Sequence, residues 1–136
     1  MPEVKFPVQV AGGVPVVVAP EEIDITNAAG LRAALLEAAA HRNGMLVVDM
    51  SRTEFCDSAG ISVLVRAHKR AQAEGRAVLL VITGAAVLRI LAITGIGHLI
   101  PTFPSLAEAL AQTAAVPDSP DLVAAPSADP EPLGTP

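Results

Sequence analysis

Two short runs of uninterrupted apolar residues constrain this chain more than any other feature. Met45-Leu46-Val47-Val48 and Ala77 to Ile82 show no polar alternation, so each reads as a strand buried on both faces, as in a sheet covered by helices. Between them the pattern changes to a helical period. From about Ser58 to Glu74, Ile61, Leu64, Val65 and His68 fall along one face, and Gly75 stops the run. Strand, helix, strand in that order requires a crossover connection and hence parallel strands.

The flanking segments extend this plan. Val4 to Val10 reads as a first strand, placed at an edge by Pro7, which lacks an N–H for a ladder. Gly12-Gly13 is a two-residue hairpin turn, since both residues tolerate positive φ, and Val14 to Ala19 is the returning strand. Pro20 to Asn27 reads as a loop carrying Glu21, Glu22 and Asp24, with Thr26 or Asn27 capping the next helix. Leu31, Ala34, Leu35 and Ala38 form the buried stripe of that helix, and Asn43-Gly44 ends it. Asp49 to Asp57 reads as a loop. A helix from Ala85 to Ile93 closes at Gly95, and Leu99 to Phe103 is a short edge strand. Ser105 and Glu108 form a capping box for a last helix ending near Ala115. The predicted fold is therefore α/β: a mixed sheet of four to five strands, an opening hairpin followed by parallel strands, with about four helices. From Val116 onward lie half of the twelve prolines, and the only charges are acidic. Residues 1–115 read as one domain and 116–136 as a Pro-rich acidic disordered tail.

Composition removes several classes of function. A net charge of −5 and 2% aromatic residues, with no Trp or Tyr, argue against nucleic acid, which is bound through cationic side chains and stacking rings. The stretch from Ala77 to Ile100 is nearly all apolar. Arg89, Gly84, Gly95 and Gly97 break it into a strand and a helix, so no membrane span is expected. Cys56 is the single cysteine, which excludes an intramolecular disulfide and suits a reducing compartment. The first residues carry no signal-peptide pattern, and the expected location is the cytoplasm.

Catalytic constellations are not legible either. There is no phosphate-binding G-x-x-x-x-G-K-[ST] loop, and Gly95-Ile96-Gly97 reads only as a helix stop. His41, His68 and His98 sit on separate elements without zinc-ligand spacing. His41 suits a helix C-terminus, and His68 suits a packed core. Cys56 lacks a basic neighbourhood, and Asp57 disfavours its thiolate. No catalytic residue, metal or cofactor is expected, and an enzyme is not predicted. A small hydrolase using Ser58 or Cys56 with His68 is the weakest of the alternatives.

One segment remains. Cys56-Asp57-Ser58-Ala59-Gly60 follows a buried strand and opens a helix, and in open α/β sheets the loops after the strands form the binding edge. On residue types alone it is a capped helix start, with Asp57 or Ser58 as the N-cap. The stretch from Val47, VVDMSRTEFCDSAGISVLVRAHKRAQAEG, resembles the anti-sigma-factor antagonist branch of the STAS family. So do the later VLLVITGAAVLRILAITGIGHLIPTFPSLAEAL and the upstream VVVAPEEIDITNAAGLRAAL. The resemblance spans roughly Val8 to Ala111. It implies a partner-switching protein that binds an anti-sigma factor acting as a serine kinase, frees a sigma factor, and is switched off by phosphorylation and restored by a cognate phosphatase. The family's phosphorylated serine maps onto Ser58 and its motif aspartate onto Asp57. Asp24 matches an acidic loop position near the phosphosite, and Ala59, Gly60 and Ser62 complete the implied partner-binding set. Ala59 stands where the family commonly has Ser or Thr, which leaves Ser58 as sole acceptor, and Cys56 replaces a usually apolar residue. A STAS scaffold in another signalling complex, or a decoy that is never phosphorylated, are the alternatives. A phosphate on Ser58 is expected to face free N–H groups at the helix start and to leave the fold little changed.

Overall fold

The computed structural model describes residues 6–41 and 45–115. The predicted sequence of elements is present. β1 (Val8–Ala11) and β2 (Val14–Val18) form the opening hairpin, α1 spans Ala28–His41, and β4 spans Met45–Met50. Two very short strands, β3 (Glu22–Ile23) and β5 (Phe55–Cys56), precede α1 and follow β4 respectively. Then come α2 (Ser58–Ala73), β6 (Ala77–Ile82), α3 (Ala85–Thr94), the one-turn α4 (Ile96–Leu99), β7 (Thr102–Phe103) and α5 (Leu106–Ala115).

The main sheet has the order β1-β2-β4-β6-β7. Its opening pair is antiparallel, and the remaining three contacts are parallel. The run that most constrained the sequence, Met45 to Val48, is the central strand. Its residues alternate between two cores: Leu46, Val48 and Met50 face one, and Val47 faces the other. β6 divides in the same way, with Val78, Leu80 and Ile82 against Leu79 and Val81. α1, α2, α3 and α4 cover the larger core, while α5 covers the smaller through Leu106, Ala109 and Leu110. The predicted stripe on α1 (Leu31, Ala34, Leu35, Ala38) and Leu64 and His68 on α2 are buried. Each fully buried leucine contributes about 1.5–3 kcal/mol of transfer free energy. The packing is almost wholly aliphatic, as the lack of Trp and Tyr requires.

The turns follow their residue chemistry. Gly12 and Gly13 both have positive φ (59° and 80°) and link Ala11 to Val14 directly. Pro15 lies opposite Val10, and the ladder from β2 to β4 begins only at Val16, so the missing N–H costs no bond there. Gly95, at φ 81°, ends α3.

Several expectations need correction. The segments read as loops, Pro20 to Asn27 and Asp49 to Asp57, each hold a two-residue strand, and these pair with each other. Two residues carry no periodicity, and their partner lies more than thirty positions away, so local pattern could not show them. β4 runs on through Asp49 and Met50, whose partners on β6 are Val81 and Ile82. Gly95-Ile96-Gly97 is more than a stop, since the one-turn α4 starts there, bringing the helices among the described residues to five. The edge strand predicted from Leu99 shortens to Thr102–Phe103, because Leu99 completes α4. The first strand begins at Val8 and ends at Ala11. Residues 1–5, the Asn43-Gly44 stop, the side chain of His41 and the tail 116–136 lie outside the described residues. Among the described residues, no helix is long and apolar enough to cross a membrane.

Candidate functional site

The segment Cys56 to Gly60 forms the start of α2, and Asp57 is its N-cap. Asp57 has extended backbone (φ −87°, ψ −175°), and its Oδ1 accepts the N–H groups of Ala59 at 2.9 Å and Gly60 at 3.1 Å. This is the ordinary work of an N-cap carboxylate, satisfying helix donors that have no intrahelical acceptor. Its second oxygen does something further. Oδ2 accepts the N–H of Ile25 at 3.2 Å, across 32 positions of sequence. One side chain thus ties the helix start to the loop before α1.

Further contacts fix that junction. β3 and β5 pair in parallel, with Ile23 opposite Cys56, and the Asp57 N–H donates to the Ile23 carbonyl at 3.0 Å. Gly60 is buried where no larger residue fits. A Cβ at this position would lie 2.6 Å from Ile23 Cγ2 and 2.7 Å from Cys56 Sγ. The glycine is needed for close approach of α2 to the β3–β5 ribbon and not for an unusual backbone angle. Thr53, also buried, donates its hydroxyl to the Pro20 carbonyl at 2.8 Å and so pins the same pair of segments.

The loop side of the junction is an ordered turn. Asp24 Oδ1 accepts both the N–H and the hydroxyl of Thr26, and the Asp24 N–H donates to Asn27 Oδ1 at 2.9 Å. The hydroxyl and then the amide of Thr26 hold the Asp24 carboxyl below its ordinary value of 3.8. Asn27 also sends its Nδ2 back to the Glu22 carbonyl at 2.8 Å. Neither Thr26 nor Asn27 caps α1 in the predicted manner; both are engaged in shaping the turn that presents Asp24 and Ile25.

Ser58 occupies the first helical position of α2 and is exposed. Asp24, Asp57, Ser58 and Ala59 are therefore gathered at one edge of the molecule, with Gly60 buried beneath them. Ser62 stands one turn further along α2, exposed, on the wall of the cleft between α1 and α2. The sequence reading missed two apolar side chains beside the serine. Ile25 is 78% exposed and Phe55 48% exposed. The available signal was the alternation Ile23-Asp24-Ile25: once Ile23 is fixed in the ribbon and the chain turns at Asp24, Ile25 cannot follow it inward. The free N–H groups expected around Ser58 need correction too. Those of Ala59 and Gly60 are already taken by Asp57, so a group added at Ser58 would stand beside a carboxylate and not in an amide cradle.

The side chains weighed for catalysis are not assembled. Burial, and secondarily Asp57, push the Cys56 thiol up to about 12. His68 is 4% exposed, and neither ring nitrogen has a hydrogen-bond partner among the described residues. His68 therefore bonds neither the Ser58 hydroxyl nor the Cys56 thiol. What the geometry provides is an exposed hydroxyl at a capped helix start, with the carboxylates of Asp24 and Asp57 and the exposed Ile25 and Phe55 on the segments joined there.

Comparison with known proteins agrees with this architecture. A family model described as STAS domain matches residues 5–109. No curated protein matches the sequence. Among solved structures, an anti-sigma factor antagonist from Mycobacterium paratuberculosis is similar, at 30% identity and a TM-score of 0.73, covering 81% of this chain and 93% of that one. The anti-sigma factor antagonist SpoIIAA in its unphosphorylated form has 18% identity and a TM-score of 0.65, covering 83% and 99%. The murine anion transporter Slc26a9 has 23% identity and a TM-score of 0.66. There the match covers 79% of this chain and only 19% of the transporter. The latter two likenesses are of fold.

Proposed function

Because this chain belongs to the STAS domain family, we propose that it acts as an anti-sigma factor antagonist, binding an anti-sigma factor with serine kinase activity and released from it by phosphorylation of Ser58. The observation that carries this reading is the placement of Ser58, exposed at the first turn of a helix that Asp57 clamps to the Asp24–Asn27 loop. The similarity to the mycobacterial antagonist, across nearly the length of both chains, supports the same role.

On this reading each residue has a physical task. Ile25 and Phe55 supply apolar contact area, and Asp24 and Asp57 give the surface its charge. Ala59 keeps it low, and Ser62 extends it along α2. The kinase supplies the catalytic base and nucleotide; the chain supplies the acceptor hydroxyl. Phosphorylation adds a charge of about −1.5 to −2, beside two carboxylates and without the Ala59 and Gly60 amides to offset it. The cost falls on the complex, where each loss of about 1.4 kcal/mol is tenfold in affinity. A cognate phosphatase resets the switch in the cytoplasm.

The experiment is affinity capture from an extract of the source cells with wild type, Ser58→Ala and Ser58→Glu, with phosphosite mapping. Wild type and Ser58→Ala should retain a kinase-like anti-sigma factor, Ser58→Glu should lose it, and phosphate should map to Ser58. Equal capture by all three variants, with Ser58 unmodified in the presence of that kinase and ATP, would refute the switch and leave a scaffold or decoy role.

A further inference from the structure

A cleft of about 230 Å³ opens between α1 and α2 at the end of the sheet opposite Ser58, where β4 and β6 begin. Its floor is aliphatic, made by Leu35, Leu46, Ala71 and Val78 among others, and among the described residues no acidic side chain lines it. Four arginines do: Arg32, Arg66, Arg70 and Arg76. That is four of the nine basic residues of a chain whose net charge is −5, so the concentration of positive charge here runs against the whole molecule. Arg76 is engaged, donating Nη1 to the Ala39 carbonyl and pairing with Glu74. Arg32, Arg66 and Arg70 have no hydrogen bond or ion pair among the described residues. Arg66 and Arg70 are one turn apart on α2, so both guanidinium groups rise on the same side of the cleft.

We propose that this cleft binds an amphipathic monoanion, an aliphatic chain of about eight carbons ending in a carboxylate. The charge calls for an anionic head, which guanidinium groups bind through paired N–H donors, and a carboxylate is the head to test. The floor decides the tail: among the described residues it is aliphatic, and no aromatic side chain there would stack a base. The volume of about 230 Å³ gives room for a short aliphatic chain, on the order of eight carbons at about 30 Å³ each. The cleft shares Ser62 with the proposed partner surface but not Ser58, and it does not depend on the partner-switching reading.

The test is calorimetric titration of the full chain with octanoate, octan-1-ol and acetate, together with sedimentation against phosphatidylglycerol vesicles. Octanoate should bind one per chain, at least tenfold tighter than octanol or acetate. The double variant R66Q/R70Q, altered at exposed positions, should lose at least tenfold in octanoate affinity and leave octanol unchanged. Ala67→Leu, which fills the cleft from α2, should abolish octanoate binding while thermal unfolding reports an intact fold. The proposal is overturned by no saturable octanoate binding, by octanol binding as tightly as octanoate, or by R66Q/R70Q behaving as wild type. Vesicle binding without octanoate binding would also overturn it, and would make the arginines a membrane-surface patch.

Discussion

The close approach at Gly60 gives a prediction with a worked magnitude. In Gly60→Ala the new methyl would sit 2.6 Å from Ile23 Cγ2 and 2.7 Å from Cys56 Sγ, well inside van der Waals contact. Both neighbours are buried, at 0% and 1% exposure, and neither is the free end of a flexible chain. Overpacking of this kind costs about 1–3 kcal/mol. Alanine in a helix interior returns up to about 1 kcal/mol over glycine, and less in the first turn, where Gly60 lies. The net effect should be a loss of about 1–2 kcal/mol, measured as a lower urea midpoint at unchanged slope. The structure also says where the strain lies. In a Cys56→Ala background one of the two clashes disappears, so the penalty of Gly60→Ala should shrink in a double-mutant cycle. Two controls bracket the result. Gly97→Ala meets nothing nearer than 3.8 Å and should be close to neutral, and circular dichroism should show α2 intact in both variants. If Gly60→Ala proves as stable as wild type, the claim that this glycine exists to seat α2 against the ribbon is wrong.

Two further predictions concern titration. The Asp24 carboxyl is held below 3.8 by Thr26, so its bonds to Thr26 favour the native state above pH 3.8 and are lost as the pH falls through the lowered native value. NMR titration should place its midpoint below 3.8, and Thr26→Ala should move it back up. The Cys56 thiol, raised to about 12, should resist iodoacetamide at pH 8 in the native protein and react readily in urea, since the thiolate is the nucleophile. Rapid alkylation of the folded chain would contradict its burial against Ile23 and Gly60.

Elements long enough to show a period were legible from the sequence. Met45–Met50, Ala77–Ile82 and the stripes of α1 and α2 bury two faces or one, and that requirement is written into consecutive residues. The β3–β5 ribbon was not legible, because pairing two residues with two distant ones leaves no local trace. The same limit applied at the site. Asp57 beside a helix start could be read as a cap, and family resemblance singled out Ser58. The second oxygen of Asp57 reaching Ile25 is a consequence of topology, and Gly60 as a packing residue depends on Ile23 arriving from the other segment. Ser58 itself carries no pattern that distinguishes it from any serine at a helix start. The α1–α2 cleft escaped notice for a related reason: Arg32, Arg66 and Arg70 sit at ordinary exposed helical positions and converge only when the two helices lie side by side.

The Ile25–Asp57 bond has a kinetic consequence. The surface around Ser58 is drawn from two stretches of chain more than thirty residues apart, held together by a ribbon of two residues per strand. Contacts of that separation close late, after the loss of chain entropy between them has been met. A chain with β4 and α2 formed but the β3 segment undocked would carry the serine without Ile25, Asp24 or the clamp. The proposed recognition surface is thus a record of finished folding, and a partner that needs both halves would ignore immature molecules and count only completed ones.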